Sequence, residues 1–292
     1  MPRILRLIRA EQWYKNTVIF LALFFSAKFL YPDLFFRTVA GFFILCLTSS
    51  ATYILNDIMD REKDKEHPEK KNRPIAAGVV SIRGAAITAV VILAFALVLG
   101  FMLSPKFVIF PIALFLSTLA YTLYLKNKAI IDVHVIAVNY LLRSISGAVL
   151  IDVPVTPWLI ISVFFMALFL ALGKRRSELL LLGESAGDSR KTFKIYNVEL
   201  LNLYVVVVMA TLLFSYTFYT FFAYLDEPYM LLTIPFASFI LFRYMYFIFS
   251  GHIIARNTHY IFGDRQMMVA LFLWITTSFL VVYRDFLRGI LI

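Results

Sequence analysis

The chain has 292 residues, of which 61% are hydrophobic and 16% are charged. Soluble globular domains carry about a quarter charged residues, so this composition excludes a soluble domain and predicts a polytopic membrane protein with α-helical spans. The net charge of +10 does not indicate a nucleic-acid partner, because the positive residues fall in short loops between apolar segments, where the positive-inside rule already predicts them.

Nine apolar segments predict helices that span the bilayer. In chain order they cover residues 17–31, 34–55, 82–103, 107–125, 129–151, 158–172, 196–224, 229–249 and 267–287. Backbone groups inside a bilayer must be paired within the protein, so we expect one all-α domain over residues 1–292. With the N-terminus in the cytoplasm, most of the 28 lysines and arginines fall on the cytoplasmic side. We therefore expect a protein of the cell's inner membrane whose active site faces the cytoplasm.

The polar stretch after the second segment contains regularly spaced acids. Asn56, Asp57, Asp60 and Asp64 would lie along one stripe of a helix, over about two turns, and we call these four residues the acidic stripe. Carboxylates this close repel one another unless a cation lies between them. Their oxygen atoms suit Mg²⁺, which usually completes its ligand shell with substrate phosphate oxygens. The stripe therefore predicts a metal site for a diphosphate, and the alternative is a solvated loop with ion pairs between neighbouring turns.

Further candidates lie at the start of the fifth segment and inside it. Tyr124 and Lys128 are four residues apart and would project into the same cytoplasmic mouth. Asp132, Asn139 and Arg143 share one helical face, and Arg143 would lie about 16 Å deeper in the membrane than Asp132. An ionisable residue inside a membrane indicates a functional site by default. The alternative for Asp132 and Arg143 is a structural contact between helices.

A third charged group follows the sixth segment, in the sequence GKRRSEL. Lys174 and Glu178 would lie on one face of a helix, next to Arg175. Adjacent cations at a helix end offer several hydrogen-bond donors to a phosphate group. The positive-inside rule accounts for the cations without any function, but it does not account for an acid placed among them.

These motifs carry a resemblance to a known family, which covers essentially the whole chain. The stretch NDIMDREKD resembles the first aspartate-rich motif, NDxxDxxxD, of the UbiA superfamily of intramembrane prenyltransferases. The resemblance implies nine helices around a central cavity. Typical members carry a second aspartate-rich motif after the sixth helix, whereas this chain has GKRRSEL there. With that motif, and with QWYKN, NRPIAAGVVS, LRSISGA and GDR, the chain is similar to the branch of decaprenyl-phosphate phosphoribosyltransferases.

The resemblance implies a reaction and a set of site residues. The reaction is a Mg²⁺-dependent transfer of 5-phosphoribose from phosphoribosyl pyrophosphate to a long-chain polyprenyl phosphate of the decaprenyl type. Diphosphate leaves, and the product serves the synthesis of pentose (arabinan) precursors of the cell envelope. The expected metal ligands are Asn56, Asp57, Asp60 and Asp64, and the expected catalytic residues are Asp57, Asp60 and Asp132. The expected substrate-binding residues are Lys15, Asn56, Arg73, Tyr124, Lys128, Asn139, Arg143, Lys174, Arg175 and Glu178.

Two other functions compete with this one. The first is a UbiA-type prenyltransferase that moves a prenyl group from a prenyl diphosphate to an aromatic or lipid acceptor. A second pair of aspartates near Lys174 would have favoured it. The second is a transporter or structural membrane protein, which predicts internal repeats with helices broken at matching positions, and we find no such repeats. The sequence leaves a homo-oligomer open.

Overall fold

This computed structural model describes residues 3–222 and 228–291, and every regular element within these ranges is a helix. The α-helices are α1 (Arg3–Leu7), α2 (Phe20–Phe25), α3 (Pro32–Met59), α4 (Arg61–Glu66), α5 (Ile82–Leu103), α6 (Ile109–Leu123), α7 (Ile131–Leu150), α8 (Pro157–Leu182), α9 (Ala186–Ser189), α10 (Val198–Phe222), α11 (Ile234–Phe249), α12 (Ile253–Arg256), α13 (Arg265–Val282) and α14 (Arg284–Leu291). Short 3₁₀-helices connect them, of which the longest described one is Ala10–Ile19. The prediction of an all-α fold is confirmed.

Seven helical segments in the described ranges are long and apolar enough to cross a membrane. They are α3, α5, α7, α8, α10, α13 and the segment Tyr229–Phe249, which contains α11. The fourth predicted span corresponds to α6, which is apolar but has 15 residues. The chain is therefore an integral membrane protein, and the count of nine spans stays a prediction.

The first predicted span, residues 17–31, does not form one long helix. The 3₁₀-helix Ala10–Ile19 leads into the six-residue α2, and the backbone turns at Ala27, where φ is 57°. The 3₁₀-helix packs against α7 because Gly147 lets the two backbones touch, and a Cβ atom at that position would collide with the carbonyl oxygen of Ile19. This segment is therefore a buried part of the bundle on the side of α7.

Helix α8, which corresponds to the sixth predicted span, is longer than the predicted range 158–172. It begins at Pro157, where the hydroxyl of Thr156 accepts a hydrogen bond from the N–H of Leu159, and it ends at Gly183, whose φ is 54°. The extra turns hold charged residues, of which Arg175 pairs with Asp132 of α7 and Arg176 donates to Asn202 of α10. The predicted end of the seventh span, at residue 224, lies outside the described residues. The ninth predicted span is divided between α13 and α14 at Tyr283.

The central element of the bundle is α7. It packs against α2, α3, α6 and the 3₁₀-helix Ala10–Ile19 on one side and against α8 on the other. The small residues Ala85, Ala89 and Gly100 on the buried side of α5 allow close packing on α3, while its opposite side exposes large apolar side chains. This arrangement brings the polar ends of α3, α6 and α8 to the same end of the bundle as the start of α7.

Candidate active site

The acidic stripe lies on one nearly continuous helix. The backbone N–H of Asp60 donates to the carbonyl of Asn56, and the N–H of Asp64 donates to the carbonyl of Asp60, so helical hydrogen bonding passes from α3 into α4. Asn56, Asp60 and Asp64 therefore lie on successive turns, with Asp57 next to Asn56 at the edge of the stripe, as their spacing predicts. Asn56 accepts a hydrogen bond of 3.1 Å from the hydroxyl of Thr122 on α6.

Arg73 joins two carboxylates of the stripe. Its Nη1 atom lies 3.1 Å from Oδ1 of Asp57 and 2.5 Å from Oδ2 of Asp64, and both carboxylates are buried. Arg9, from the segment before the 3₁₀-helix, also pairs with Asp57. Burial raises the pKa of Asp64, although the charge of Arg73 acts against that rise. Two carboxylates thus face one cationic atom, which is the arrangement that a bound cation needs.

Lys126 pairs with the remaining carboxylate of the stripe. Its Nζ atom lies 2.5 Å from Oδ1 of Asp60, and it comes from the short connection between α6 and α7. The two predicted substrate-binding residues nearby, Tyr124 and Lys128, are exposed, and no hydrogen bond or ion pair joins their side chains to the stripe in the described part of the chain. The 3₁₀ turn Leu125–Asn127 lies between them, so they do not share the face of one continuous α-helix, and their role stays a prediction.

The acidic stripe has the donor atoms of a metal site but not a preformed one. Within residues 3–222 and 228–291, no three acidic, histidine or cysteine side chains converge in a metal-ligand arrangement. The available donors are amide and carboxylate oxygens, which are the ligands of Mg²⁺. Their present partners, Arg73 and Lys126, are cations. The residues therefore fit a hard divalent cation chemically, provided that these two basic side chains give way to it.

Asp132, the first acid of α7, is fully buried and surrounded by donors. Its Oδ2 atom accepts from Nε of Arg175 at 2.8 Å and from Nη1 of Arg190 at 3.4 Å, and Oδ1 accepts from the hydroxyl of Tyr196 at 2.8 Å. Burial raises the pKa of Tyr196, so this hydroxyl stays protonated and donates. Arg175 also reaches Oε2 of Glu178 at 3.0 Å. Asp132 therefore orients two arginines toward the site.

A strained turn places Asp132. Ile130 has φ 68° and ψ −51°, and the N–H of Ile131 donates to the carbonyl of Ala129 at 2.8 Å, which closes a γ-turn of the rare kind with positive φ. The hydroxyl of Tyr196 accepts from the N–H of Ile130 at 2.6 Å while it donates to Asp132. A β-branched residue tolerates this conformation only when its surroundings impose it, and such strain is typical of functional sites.

Replacing Ile130 by Gly should stabilise the protein. Glycine adopts positive φ without a Cβ clash, so we expect a gain of about 1 kcal/mol in the free energy of unfolding. The neighbouring Ile131→Gly variant is the control, because Ile131 is equally exposed but lies in a helix, where glycine lowers stability by about 1 kcal/mol. Thermal unfolding in detergent measures both variants, and a lower melting temperature for Ile130→Gly would contradict the strain.

Arg143 lies in a separate and deeper polar cluster. It donates to Oδ1 of Asn16 at 2.7 Å, to the carbonyl of Asn139 at 2.7 Å and to the hydroxyl of Ser49 at 3.5 Å. All of these partners are neutral, and no carboxylate pairs with Arg143 in the described part of the chain. The structure thus does not join Arg143 to Asp132, although both lie on one face of α7. A buried cation without an acidic partner favours binding of an anion.

Two lysines of the site make no direct polar contact, although the charge of Glu178 acts on one of them, Lys174. Neither Lys15 nor Lys174 makes a hydrogen bond or an ion pair with any residue that the structure describes. Burial, followed by the charges of Arg143 and Arg9, lowers the pKa of Lys15 to about 7. Lys15 and Arg143 are thus electrostatic neighbours, and a phosphate between them would relieve the repulsion of their charges.

Part of this charged cluster lines a cleft that opens to solvent. Its lining residues are Asp60, Lys63, Asp64, His67, Lys70, Lys126, Asn127, Glu178, Leu182, Arg190 and Phe193. The cleft brings together three predicted residues: Asp60 from the junction of α3 and α4, Asp64 from α4 and Glu178 from α8. Sequence reasoning assigned no role to Lys70 and Arg190, because both lie in charged loops that look solvated, and no spacing rule links them to the stripe.

Comparisons with known proteins identify relatives of the chain. The UbiA prenyltransferase family matches residues 17–252. A decaprenyl-phosphate phosphoribosyltransferase of Mycobacterium tuberculosis is 34% identical over 197 residues, and the match covers 66% of this chain and 65% of that relative's length. A protein of the same name from Mycolicibacterium smegmatis is 29% identical over 295 aligned positions, which cover 96% of this chain and 92% of the relative.

Solved structures share the fold. The UbiA homolog from Archaeoglobus fulgidus bound to DMAPP and Mg²⁺ has a TM-score of 0.73 at 17% identity, and it covers 96% of this chain and 99% of that chain. The same homolog bound to GPP and Mg²⁺ has a TM-score of 0.71 over the same coverage. At this identity the likeness shows the fold alone. Because the family matches most of the chain and its solved members have this fold, the chain belongs to the UbiA prenyltransferase family.

Proposed function

We propose that the protein transfers 5-phosphoribose from phosphoribosyl pyrophosphate to a polyprenyl phosphate and releases diphosphate. The observation that carries this proposal is the basic character of the site opposite the acidic stripe. There, Lys174 and Arg175 stand on α8, and Arg190 joins Arg175 at Asp132. A donor with two phosphate-bearing ends and an acceptor that is itself a phosphate need such an excess of cations. The names of the mycobacterial relatives support the same reaction.

The donor's diphosphate is assigned to the acidic stripe. Asn56, Asp57, Asp60 and Asp64 would hold Mg²⁺, which, when bound, neutralises the charge that develops on the leaving diphosphate. Arg73 and Lys126 already touch these carboxylates, so their guanidinium and ammonium groups are close enough to donate to the phosphate oxygens that arrive with the metal. Arg175, which donates a hydrogen bond to Asp132, adds positive charge on the side of the site opposite the acidic stripe.

The acceptor's phosphate is assigned to Lys15 and Arg143. Arg143 is buried and Lys15 is partly buried, and Lys15 belongs to the 3₁₀-helix Ala10–Ile19, which packs on α7 next to the apolar interior in which a polyprenyl chain is soluble. Asn139 adds a polar atom, because its Oδ1 is buried without a partner in the described part of the chain. This oxygen would accept from a hydroxyl of the incoming sugar, since a phosphate dianion offers it no proton.

The chemical step follows from this placement. An oxygen of the lipid phosphate forms a bond to C1 of the ribose, and the bond from C1 to the diphosphate oxygen breaks. The lipid phosphate is already ionised, so no proton has to be removed and no strong base is required. The contribution of the protein is to align the two phosphates on opposite sides of C1 and to stabilise the departing charge.

We expect a pH dependence of acceptor use that traces to Lys15. Its pKa of about 7 means that it is charged below this pH and neutral above it, so kcat/KM for the lipid phosphate should fall as the pH rises through 7. Lys15→Arg keeps its charge at every pH used, and its profile should shift to higher pH. Identical pH profiles of kcat/KM for the wild type and Lys15→Arg, from about pH 6 to pH 9, would contradict the assignment of Lys15 to the lipid phosphate.

A transfer assay tests the proposal as a whole. Purified protein is incubated with Mg²⁺, labelled phosphoribosyl pyrophosphate and polyprenyl phosphate, and we expect label in the lipid phase. A parallel reaction contains a prenyl diphosphate and an aromatic acid. Prenyl transfer in the second reaction without phosphoribosyl transfer in the first would replace the proposal by the rival prenyltransferase. We assign this chemistry to the cytoplasmic face of the inner membrane, from the distribution of basic residues.

A further inference from the structure

His67 ends α4, one turn after the last carboxylate of the acidic stripe. It is 7% exposed, and its Nδ1 atom accepts hydrogen bonds from the backbone N–H groups of Glu69 at 3.1 Å and Lys70 at 3.4 Å. A ring nitrogen that accepts carries no proton, so the proton of the neutral imidazole is on Nε2. The turn after α4 thus selects one tautomer.

The Nε2–H group of His67 has no partner among the described residues, although it is buried. A buried donor without an acceptor is costly, and such groups usually meet a ligand or water. His67 is one of the residues that line this cleft. Because His67 borders the cleft and keeps an unpaired donor, a ligand in the cleft can supply the missing acceptor.

The surroundings of His67 indicate which kind of hydrogen-bond acceptor its Nε2–H group would bind. Burial and the charge of Lys70 lower the pKa of His67 to about 4, so the ring is neutral in ordinary buffers and keeps its Nε2 proton. The protonated Nε2 cannot serve as a metal ligand. Lys70 and Arg190 line the same cleft, and their charges attract an anion to it. A phosphate oxygen is the ligand atom that both a neutral donor and two cations can bind together.

We propose that His67 binds a phosphate group of the soluble donor by donating a hydrogen bond from Nε2. This inference rests on the proposed function and adds a donor-binding residue that lies outside the acidic stripe and the basic end of α8. Lys70 and Arg190 would attract the phosphate by their positive charge, and the hydrogen bond from His67 would orient it. The phosphate is either the 5-phosphate of the ribose or part of the diphosphate, and the test separates the two.

The key variant is His67→Asn, which distinguishes the role of Nδ1 in the turn from the role of Nε2 in binding. The asparagine carbonyl oxygen accepts backbone N–H groups two and three residues on, so the turn at Glu69 and Lys70 is kept, while the shorter side chain has no atom at the Nε2 position. We expect KM for phosphoribosyl pyrophosphate to rise about 10- to 100-fold, as loss of a hydrogen bond to a charged group implies. KM for the lipid phosphate should not change.

Two further variants make the result specific. His67→Gln has an amide long enough to reach the Nε2 position, and we expect it to recover most of the donor affinity. Glu66→Gln, at the exposed neighbouring residue, should behave as the wild type. Equal loss of affinity in His67→Asn and His67→Gln would contradict the hydrogen bond, and so would a wild-type KM in His67→Asn.

Calorimetric binding of two fragments identifies the phosphate without turnover. The wild-type protein and His67→Asn are titrated with inorganic diphosphate plus Mg²⁺ and, separately, with ribose 5-phosphate. Weaker binding of one fragment supports the proposal and shows which end of the donor His67 holds, whereas unchanged binding of both overturns it. Failure of the proposed function would look different, because then neither the wild type nor any variant at position 67 would transfer phosphoribose.

Discussion

Asp60→Asn should lower kcat by about 1,000-fold while the protein stays folded. Asparagine has the same shape and still accepts from Lys126, but it lacks the charge that a metal ligand facing a leaving diphosphate supplies. The Asp60 side chain is 22% exposed, so the change leaves no deeply buried unpaired group. Initial rates with phosphoribosyl pyrophosphate and polyprenyl phosphate at several Mg²⁺ concentrations measure the effect, and a weaker apparent affinity for Mg²⁺ should accompany it.

Glu62→Gln is the matched control for this experiment. Glu62 lies between Asp60 and Asp64 in the chain, but it is exposed and pairs with Lys65 on the outer side of α4. The expected rate equals that of the wild type, because a solvated ion pair of this kind contributes little. Full activity in Asp60→Asn would refute the metal assignment of the acidic stripe.

Asp132→Asn should destabilise the protein by about 3 kcal/mol, because it removes the charge that pairs with two arginines while Arg175 keeps its second partner, Glu178. Arg175 and Arg190 share Oδ2 of the fully buried carboxylate, and an amide offers them only a neutral oxygen. Activity should fall with stability, since the same arginines line the site. Thermal unfolding in detergent, together with kcat of the fraction that stays folded, separates the two effects.

A double variant tests the cause of that loss. Combining Asp132→Asn with Arg175→Gln removes one of the stranded charges, so the pair should be less destabilised than the sum of the two single variants. Strict additivity would show that Asp132 and Arg175 do not interact. A melting temperature of Asp132→Asn equal to that of the wild type would show that the buried pair does not stabilise the fold.

Local patterns in the sequence were sufficient for much of the protein. Long apolar runs predicted the spanning helices, because the bilayer admits few alternatives for the backbone. The prediction for α5, residues 82–103, agrees with the structure at both ends, since Ser81 caps its first turn. The acidic stripe was also predictable, because its residues lie within nine positions of one helix and a helix has a known period.

The sequence by itself thus determined the class of fold, the helical stripe and the family. Only the tertiary structure decided which cations face the stripe, among them Lys126 and Arg9, which is 48 residues away from Asp57. It also decided that α8 extends through Glu178 and that His67 faces the cleft. The physical reason is that periodicity relates neighbours on one helix, whereas these pairs join separate helices whose contacts depend on how the whole bundle packs.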